Sequence, residues 1–394
     1  MIQQKIDFDD TALAFGRRSD QELRMNYLIF KAMNYPWLVK VGTWCMMLAI
    51  RINLPISGLL KKTIFGHFCG GNSLHDCLAT INKLAHSNIK SILDYSAEGE
   101  DSEKGFEANK LETLKSIDFS THSESIPISV IKLSGFVPND LLEKVQSGLI
   151  LNTEEHDKFD AFKNRIDEIC AYVAAHHKSI FVDAEETWIQ NVIDDIAMEM
   201  MEKYNQDRVC VFNTFQLYTI DALDNLKQAH AELRSKGRLL GAKIVRGAYM
   251  EKERDRAEEF DYPSPIQPNK KACDRDYNLA LKYCIDNLED IALCAGTHNE
   301  DSCQYLTELI ENKDIARNHN RVYFAQLYGM SDNISFQLAD MGYNVAKYVP
   351  YGPVKKVMPY LIRRAEENTA IAGQSNREFA LIQEEIRRRK TQHV

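Results

Sequence analysis

Near residue 360 the sequence places an aromatic ring, two guanidinium groups and a carboxylate at helical spacing. Tyr360, Arg363, Arg364 and Glu367 occupy positions i, i+3, i+4 and i+7, which puts them on one face of a helix. Two neighbouring arginines present planar forks that suit a carboxylate ligand. By spacing alone a solvated basic helix face remains the alternative.

The elements that would position this helix form a repeating pattern. From about Ser73 onward, short apolar runs rich in β-branched residues alternate with longer amphipathic segments, which is typical of a parallel sheet covered on both faces. Eight such units favour a closed (β/α)8 barrel of the TIM type over an open doubly wound sheet, because no G-x-G-x-x-G follows a strand. The eight predicted strands are Ile89–Tyr95, Ile126–Ser134, Ile180–Glu185, Arg208–Phe215, Ala242–Ala248, Ile291–Thr297, Val322–Leu327 and Val345–Val349.

This α/β pattern predicts three regions along the chain. Residues 1–72 do not fit the repeat and form a helical N-terminal appendage. Residues 73–372 form the barrel, whose last helix lies over the barrel mouth. Residues 373–394 form a charged C-terminal helix.

Polar side chains occur late in nearly every predicted strand. The carboxyl ends of the strands carry the active site in barrels of this kind, so these groups are candidates for chemistry. Lys243 and Arg246 are three residues apart and would lie on opposite faces of a regular strand, unless a bulge occurs near Gly247. The strand-end residues are Asp94, Lys132, Asp183, Glu185, Glu186, Asn213, Lys243, Arg246, Thr297, His298, Asn299, Gln326 and Tyr348.

Two groups of residues could in principle bind a metal ion. His298 could join Asp183 and Glu185 in a barrel hydrolase, but no other histidine occurs at a strand end. A second group, in the segment before the first strand, lacks the close spacing of typical zinc sites. Its members are His67, Cys69, His75 and Cys77. We predict no metal centre.

Composition narrows the class of partner and the compartment. The net charge of −9 argues against nucleic acid as a partner, because neutralising phosphates requires a basic face. Nine cysteines and no N-terminal secretory signal favour the reducing cytoplasm. The apolar stretch from Trp37 to Leu60 is interrupted by Lys40 and Arg51, which favours a buried or membrane-touching helix over a spanning one.

Eight short motifs, each at a strand end or on the last helix, resemble the signatures of the proline dehydrogenase family in the same order. The resemblance extends from about Phe65 to Asn368. The motifs are Leu93–Tyr95, Ile131–Ser134, Val182–Glu186, Phe212–Gln216, Ile244–Tyr249, Gly296–Asn299, Gln326–Met330 and Tyr360–Asn368.

The resemblance implies oxidation of L-proline to 1-pyrroline-5-carboxylate by hydride transfer to non-covalent FAD. It also implies reoxidation by a membrane quinone, with peripheral contact at the inner membrane. We expect a monofunctional enzyme. Two alternatives remain: a hydroxyproline dehydrogenase of the same fold, and a catalytically silent proline-binding barrel.

The resemblance also implies roles for individual residues. Arg363 and Arg364 would bind the proline carboxylate, and Lys132 would face the substrate. We expect Asp183 to pair with Lys132, and either Asp183 or water to take the amine proton. The expected apolar wall consists of Tyr249, Leu327, Tyr348 and Tyr360. The expected cofactor contacts are Asn213, Lys243, Val245, Arg246, Gly247, Ala248, Thr297, His298, Asn299, Gln326 and, near the adenosine ribose, Glu367.

Overall fold

A computed structural model describes residues 6–52, 58, 63–95, 101–370 and 374–392. Eight parallel strands close into a barrel in sequence order, with β8 paired back to β1. The expected fold class is therefore confirmed. The strands are β1 (Ile89–Tyr95), β2 (Ile128–Ile131), β3 (Ser179–Val182), β4 (Val211–Gln216), β5 (Leu240–Val245), β6 (Ile291–Gly296), β7 (Val322–Leu327) and β8 (Val345–Tyr351).

Helices precede the barrel, connect its strands and follow it. The helices after β3, β4, β6 and β8 occupy longer amphipathic segments that alternate with the apolar runs. The helices are α1 (Thr11–Phe15), α2 (Asp20–Met33), α3 (Pro36–Arg51), α4 (Ile64–Phe68), α5 (Leu78–Ala85), α6 (Glu103–Thr121), α7 (Asn139–Gln146), α8 (Thr153–Ala175), α9 (Thr187–Tyr204), α10 (Ala222–Ser235), α11 (Met250–Glu259), α12 (Lys270–Asp286), α13 (Glu300–Asn312), α14 (Asp332–Asp340), α15 (Val354–Ala370) and α16 (Gln374–Gln392).

Side-chain alternation along the strands separates two apolar clusters. Phe181 and Tyr348 belong to a small cluster inside the barrel, whereas their strand neighbours Val182 and Val349 belong to the large cluster beneath the helices. Because successive strand residues point to opposite faces, the strand register decides which polar group reaches the interior.

The two terminal regions pack against each other on the barrel. The guanidinium of Arg389 on α16 donates to Asp20 Oδ1 at 2.7 Å and to the Phe15 carbonyl at 2.9 Å. The rings of Tyr27 and Phe379 stack with centroids 5.1 Å apart. Helices α1, α2 and α16 therefore form one packed unit. The proposed boundary near residue 372 lies outside the described residues, and the domain limits stay a prediction.

Helix α3 lies within the apolar stretch of the sequence and packs one face against α15. Val39 and Met46 contact the apolar cluster that includes Val357 and Leu361. None of the helices within the described ranges has the length and apolar character needed to cross a membrane.

Candidate active site

A cavity of about 530 Å³ opens at the carboxyl ends of the strands. Nearly all the residues expected to act in the site line it, and they come from six of the eight strand ends and from α15. Those that line it are Lys132, Asp183, Lys243, Val245, Arg246, Gly247, Ala248, Tyr249, Thr297, His298, Asn299, Gln326, Leu327, Tyr348, Tyr360, Arg363 and Arg364.

A buried cluster of three polar groups lies on one side of this cavity. Lys243 Nζ forms an ion pair with Asp183 Oδ1 and donates to the Tyr348 hydroxyl at 2.6 Å. The same hydroxyl donates to Asp183 Oδ1 at 3.2 Å. Burial, followed by the charge of Asp183, raises the pKa of Tyr348 well above its usual value, so the phenol stays protonated. The lysine that contacts Asp183 is thus Lys243, which we had assigned to the cofactor, whereas Lys132 was the expected partner.

Lys132 lies near a different carboxyl group. Glu185 accepts hydrogen bonds from the backbone and hydroxyl of Ser134, the former at 2.9 Å. Burial raises the pKa of Glu185 to about 7, against the opposing effects of the Ser134 hydrogen bonds and the Lys132 charge. Burial also raises the pKa of Tyr249 to about 12, again opposed by Lys132. Lys132 is thus the cation next to both Glu185 and Tyr249.

Arg246 follows the end of β5 and is held by three side chains. Its Nε donates to Asp274 at 2.8 Å, Nη1 to Thr297 at 2.6 Å and Nη2 to Ser302 at 2.9 Å. Strand β5 ends at Val245, so the side chain of Arg246 is not bound by the alternation of strand faces that would have pointed it away from Lys243.

The turn after Arg246 depends on a glycine. Gly247 has φ of +132°, and a Cβ atom there would lie 2.4 Å from the Tyr218 ring. Glycine alone fits this backbone conformation and this close approach. The chain leaves regular strand geometry after Val245, and both Lys243 and Arg246 line the cavity.

His298 is linked to the C-terminal helix through a serine. Its Nδ1 lies 2.9 Å from Ser331 Oγ, and its Nε2 accepts from the Leu327 amide at 3.5 Å. The Ser331 amide in turn donates to Glu378 on α16. Burial, followed by the charges of Lys347 and other cations, lowers the pKa of His298 to about 3, so the ring is neutral.

Helix α15 brings its arginines against aromatic rings at the cavity. The Arg363 guanidinium lies 5.6 Å from the Tyr249 ring centroid, and the Arg364 guanidinium 5.5 Å from that of Tyr360. These distances are within the range of cation–π contacts. The side chain of Glu367 lies outside the described residues.

Asn213, which we expected to contact the cofactor, does not face the cavity. Its amide donates to Asp194 on α9 at 2.8 Å, on the outer face of β4, and it is not among the residues that line the cavity. Thr214 and Gln216 line the cavity instead, and the Gln216 amide donates to the Glu185 carbonyl at 2.7 Å. Alternation along the strand would have predicted Gln216. Thr214 and Gln216 are two residues apart and therefore point to the same face of β4, whereas Asn213 points to the other.

No group of three or more His, Cys, Asp or Glu side chains within the described ranges is arranged to hold a metal ion. The cavity is lined by cations, carboxylates, tyrosines and amides together with apolar side chains. Such a composition fits a small zwitterionic substrate and an aromatic cofactor.

Comparison with known proteins decides the family. The family model described as proline dehydrogenase matches residues 77–377. The chain belongs to the proline dehydrogenase family. A relative from Dictyostelium discoideum, named "Proline dehydrogenase 1, mitochondrial", is 30% identical over 98% of this chain and 75% of its own length. Oxidation of proline is the reaction of this family, and the resemblance noted in the sequence is confirmed.

Two further matches bear on fold and specificity. A Xenopus laevis protein named "Hydroxyproline dehydrogenase" is 27% identical over 98% of this chain and 91% of its own length. The crystal structure of proline utilization A from Bdellovibrio bacteriovorus, inactivated by N-propargylglycine, superposes with a TM-score of 0.73 at 18% identity. It covers 96% of this chain, but this chain spans only 41% of that one, so the likeness supports the barrel fold alone.

Proposed function

We propose that the cavity oxidises L-proline to 1-pyrroline-5-carboxylate with non-covalently bound FAD. The observation that carries the proposal is that Arg363 and Arg364 line the same cavity as Tyr348 and Leu327. A cationic clamp beside apolar and aromatic surfaces matches a molecule with a carboxylate at one end and ring methylenes at the other.

Each group on the substrate side of the cavity has its own role. Arg363 and Arg364 bind the carboxylate, and Lys132, directly after β2, adds positive charge. Tyr348 packs against the pyrrolidine ring, with its orientation fixed by hydrogen bonds to Lys243 and Asp183. The Asp183 carboxylate already accepts these two donors, so we assign it a positioning role and assign the amine proton to water.

The remaining wall of the cavity fits a flavin nucleotide. Gly296 lies on this wall, and a Cβ atom there would approach the Val245 side chain to 2.9 Å, so glycine keeps the wall flat. Lys270 and Arg377 also line the cavity, and cations of this kind suit a diphosphate. FAD, when bound, supplies the acceptor for the hydride that leaves C5 of proline, and a membrane quinone is the proposed oxidant that restores it. His298, which is neutral, and Thr297 would contact the flavin without adding charge.

The proposal includes the compartment. We place the enzyme in the cytoplasm with peripheral contact at the inner membrane, where a quinone is available. The matched relative from Dictyostelium is named as mitochondrial.

Anaerobic titration of the purified protein tests the function and separates the alternatives. L-proline should bleach the flavin absorbance, and 4-hydroxyproline added in parallel should bleach it more slowly. A yellow protein that neither amino acid bleaches would be the silent barrel. Equal bleaching rates with both would favour the hydroxyproline dehydrogenase.

A further inference from the structure

Helix α3 carries an exposed aromatic face. Trp37 and Trp44 are 64% and 66% exposed, and Val41, between them on the same side of the helix, is 49% exposed. The opposite side carries Val39 and Met46, which pack on the apolar cluster that includes Val357 and Leu361. Large exposed apolar patches on otherwise ordinary surfaces mark interaction sites, and tryptophan is enriched where a protein meets the membrane–water interface.

The charge of the surrounding sequence is opposite to that of the whole chain. Between Glu22 and Asp76 the sequence contains no acidic residue, although the chain carries a net charge of −9. The same stretch contains six basic residues. They are Arg24, Lys31, Lys40, Arg51, Lys61 and Lys62. A basic segment with an exposed tryptophan face fits a negatively charged lipid surface, because lipid headgroups attract the cations while the rings enter the interface.

We propose that the outer face of α3, defined by Trp37, Val41 and Trp44, docks on a bilayer that contains anionic lipids. The helix lies in the plane of the interface and does not cross it. Its inner face packs on α15, which carries Arg363 and Arg364, so docking would bring the substrate-binding helix close to the membrane. The proposal extends the quinone acceptor proposed above, but lipid binding is measured without substrate, and either can fail alone.

Cosedimentation of the full-length flavoprotein with vesicles tests the docking. Wild type should pellet with vesicles of phosphatidylcholine and phosphatidylglycerol, and should stay in the supernatant with phosphatidylcholine alone. Trp37→Ser/Trp44→Ser should lose at least about tenfold in affinity, and Lys40→Glu should lose about tenfold on the anionic vesicles. Proline oxidation with a water-soluble acceptor should be unchanged in both variants, which shows that they are folded.

A matched control uses an exposed apolar residue far along the chain. Ile150, between α7 and α8, is 91% exposed, and Ile150→Ser should pellet like wild type. In a Trp188→Phe background, the emission of Trp37 and Trp44 should move to shorter wavelength on adding anionic vesicles. Equal pelleting of wild type and the double tryptophan variant would overturn the proposal. So would a concentration-dependent dimer that the double variant abolishes, because the face would then bind a second copy of the chain.

Discussion

Lys243 on β5 forms an ion pair with Asp183, which directly follows β3, across the intervening strand β4. Both side chains have little exposure, 7% and 15%. Replacing Lys243 by Met leaves Asp183 without its cation, and breaking such a pair costs about 3 kcal/mol of the free energy of unfolding. Urea-induced unfolding measures this loss. Lys243→Arg should lose less, and Lys243→Met/Asp183→Leu should recover part of it. A double variant no more stable than Lys243→Met would contradict this account of the pair.

Arg363→Met and Arg364→Met should each weaken proline binding while leaving the flavin in place. Each change removes a charge-assisted hydrogen bond to the substrate carboxylate, worth roughly 1.5–3 kcal/mol or about 10- to 150-fold in affinity. Inhibition by tetrahydrofuroate, a proline-like carboxylate, reports the loss directly. The control is Arg388→Met, since Arg388 pairs with Glu385 on α16. An unchanged inhibition constant in both clamp variants would refute the assignment.

Tyr348 should set the preference for proline over 4-hydroxyproline. Its ring lines the cavity, and accommodating a hydroxyl at C4 would overpack the site at a cost of about 1–3 kcal/mol. Wild type should therefore prefer proline by ~5- to 150-fold in kcat/KM. Tyr348→Ser should narrow the gap, chiefly by weakening proline. Tyr348→Phe keeps the ring and removes the hydroxyl that contacts Lys243, so it should retain the preference. Steady-state kinetics with both substrates test this prediction. Equal kcat/KM values for the two substrates in wild type would contradict it.

The flavin should be released by acid precipitation. Both ring nitrogens of His298 are engaged, by Ser331 and by the Leu327 amide, and the described residues that line the cavity include no cysteine. Neither common covalent attachment is thus available. All the flavin should appear in the supernatant, and flavin that stays with the pelleted protein would disprove non-covalent binding.

His298 should make the protein less stable in mild acid. Its pKa falls from the ordinary value of 6.5 to about 3 on folding, mainly through burial. The unfolded chain therefore binds a proton that the folded protein does not, so the stabilisation is complete above about pH 6.5 and declines as the pH falls toward about 3. Between about pH 6.5 and about pH 5, the free energy of unfolding of His298→Asn should fall by about 2 kcal/mol less than that of wild type. The exposed residue His86 is the control, because His86→Asn should keep the wild-type slope. Parallel curves for wild type and His298→Asn would contradict the shift.

The barrel could be predicted because each strand is a short apolar run that ends in polar residues. That pattern places Asp183, Lys243 and Tyr348 at the cavity without any knowledge of their contacts. The register of β4 was harder to predict. Asn213 and Thr214 are adjacent and both polar, and a shift of one residue exchanges the inner and outer faces of β4.

Contacts between distant elements could not be predicted from local pattern. Glu378 lines the cavity from α16, and its carboxylate accepts from the Ser331 amide. Within its own helix Glu378 is one of several charged residues, and only tertiary packing reveals that it is buried. Lys243 could not be predicted as the partner of Asp183 for the same reason, since β4 separates β3 from β5 in the sheet.

The packing of α1 and α2 against α16 has a consequence for the order in which the chain folds. The contact between Asp20 and Arg389 joins residues 369 apart, so it can form only after the segment up to Arg389 has left the ribosome. The eight strand–helix units can associate earlier, each with its sequence neighbour. Glu378, on the same C-terminal helix, reaches the cavity only in that last step. A nascent barrel would thus gain the Glu378 side of its cavity only after all eight strand–helix units have been synthesised.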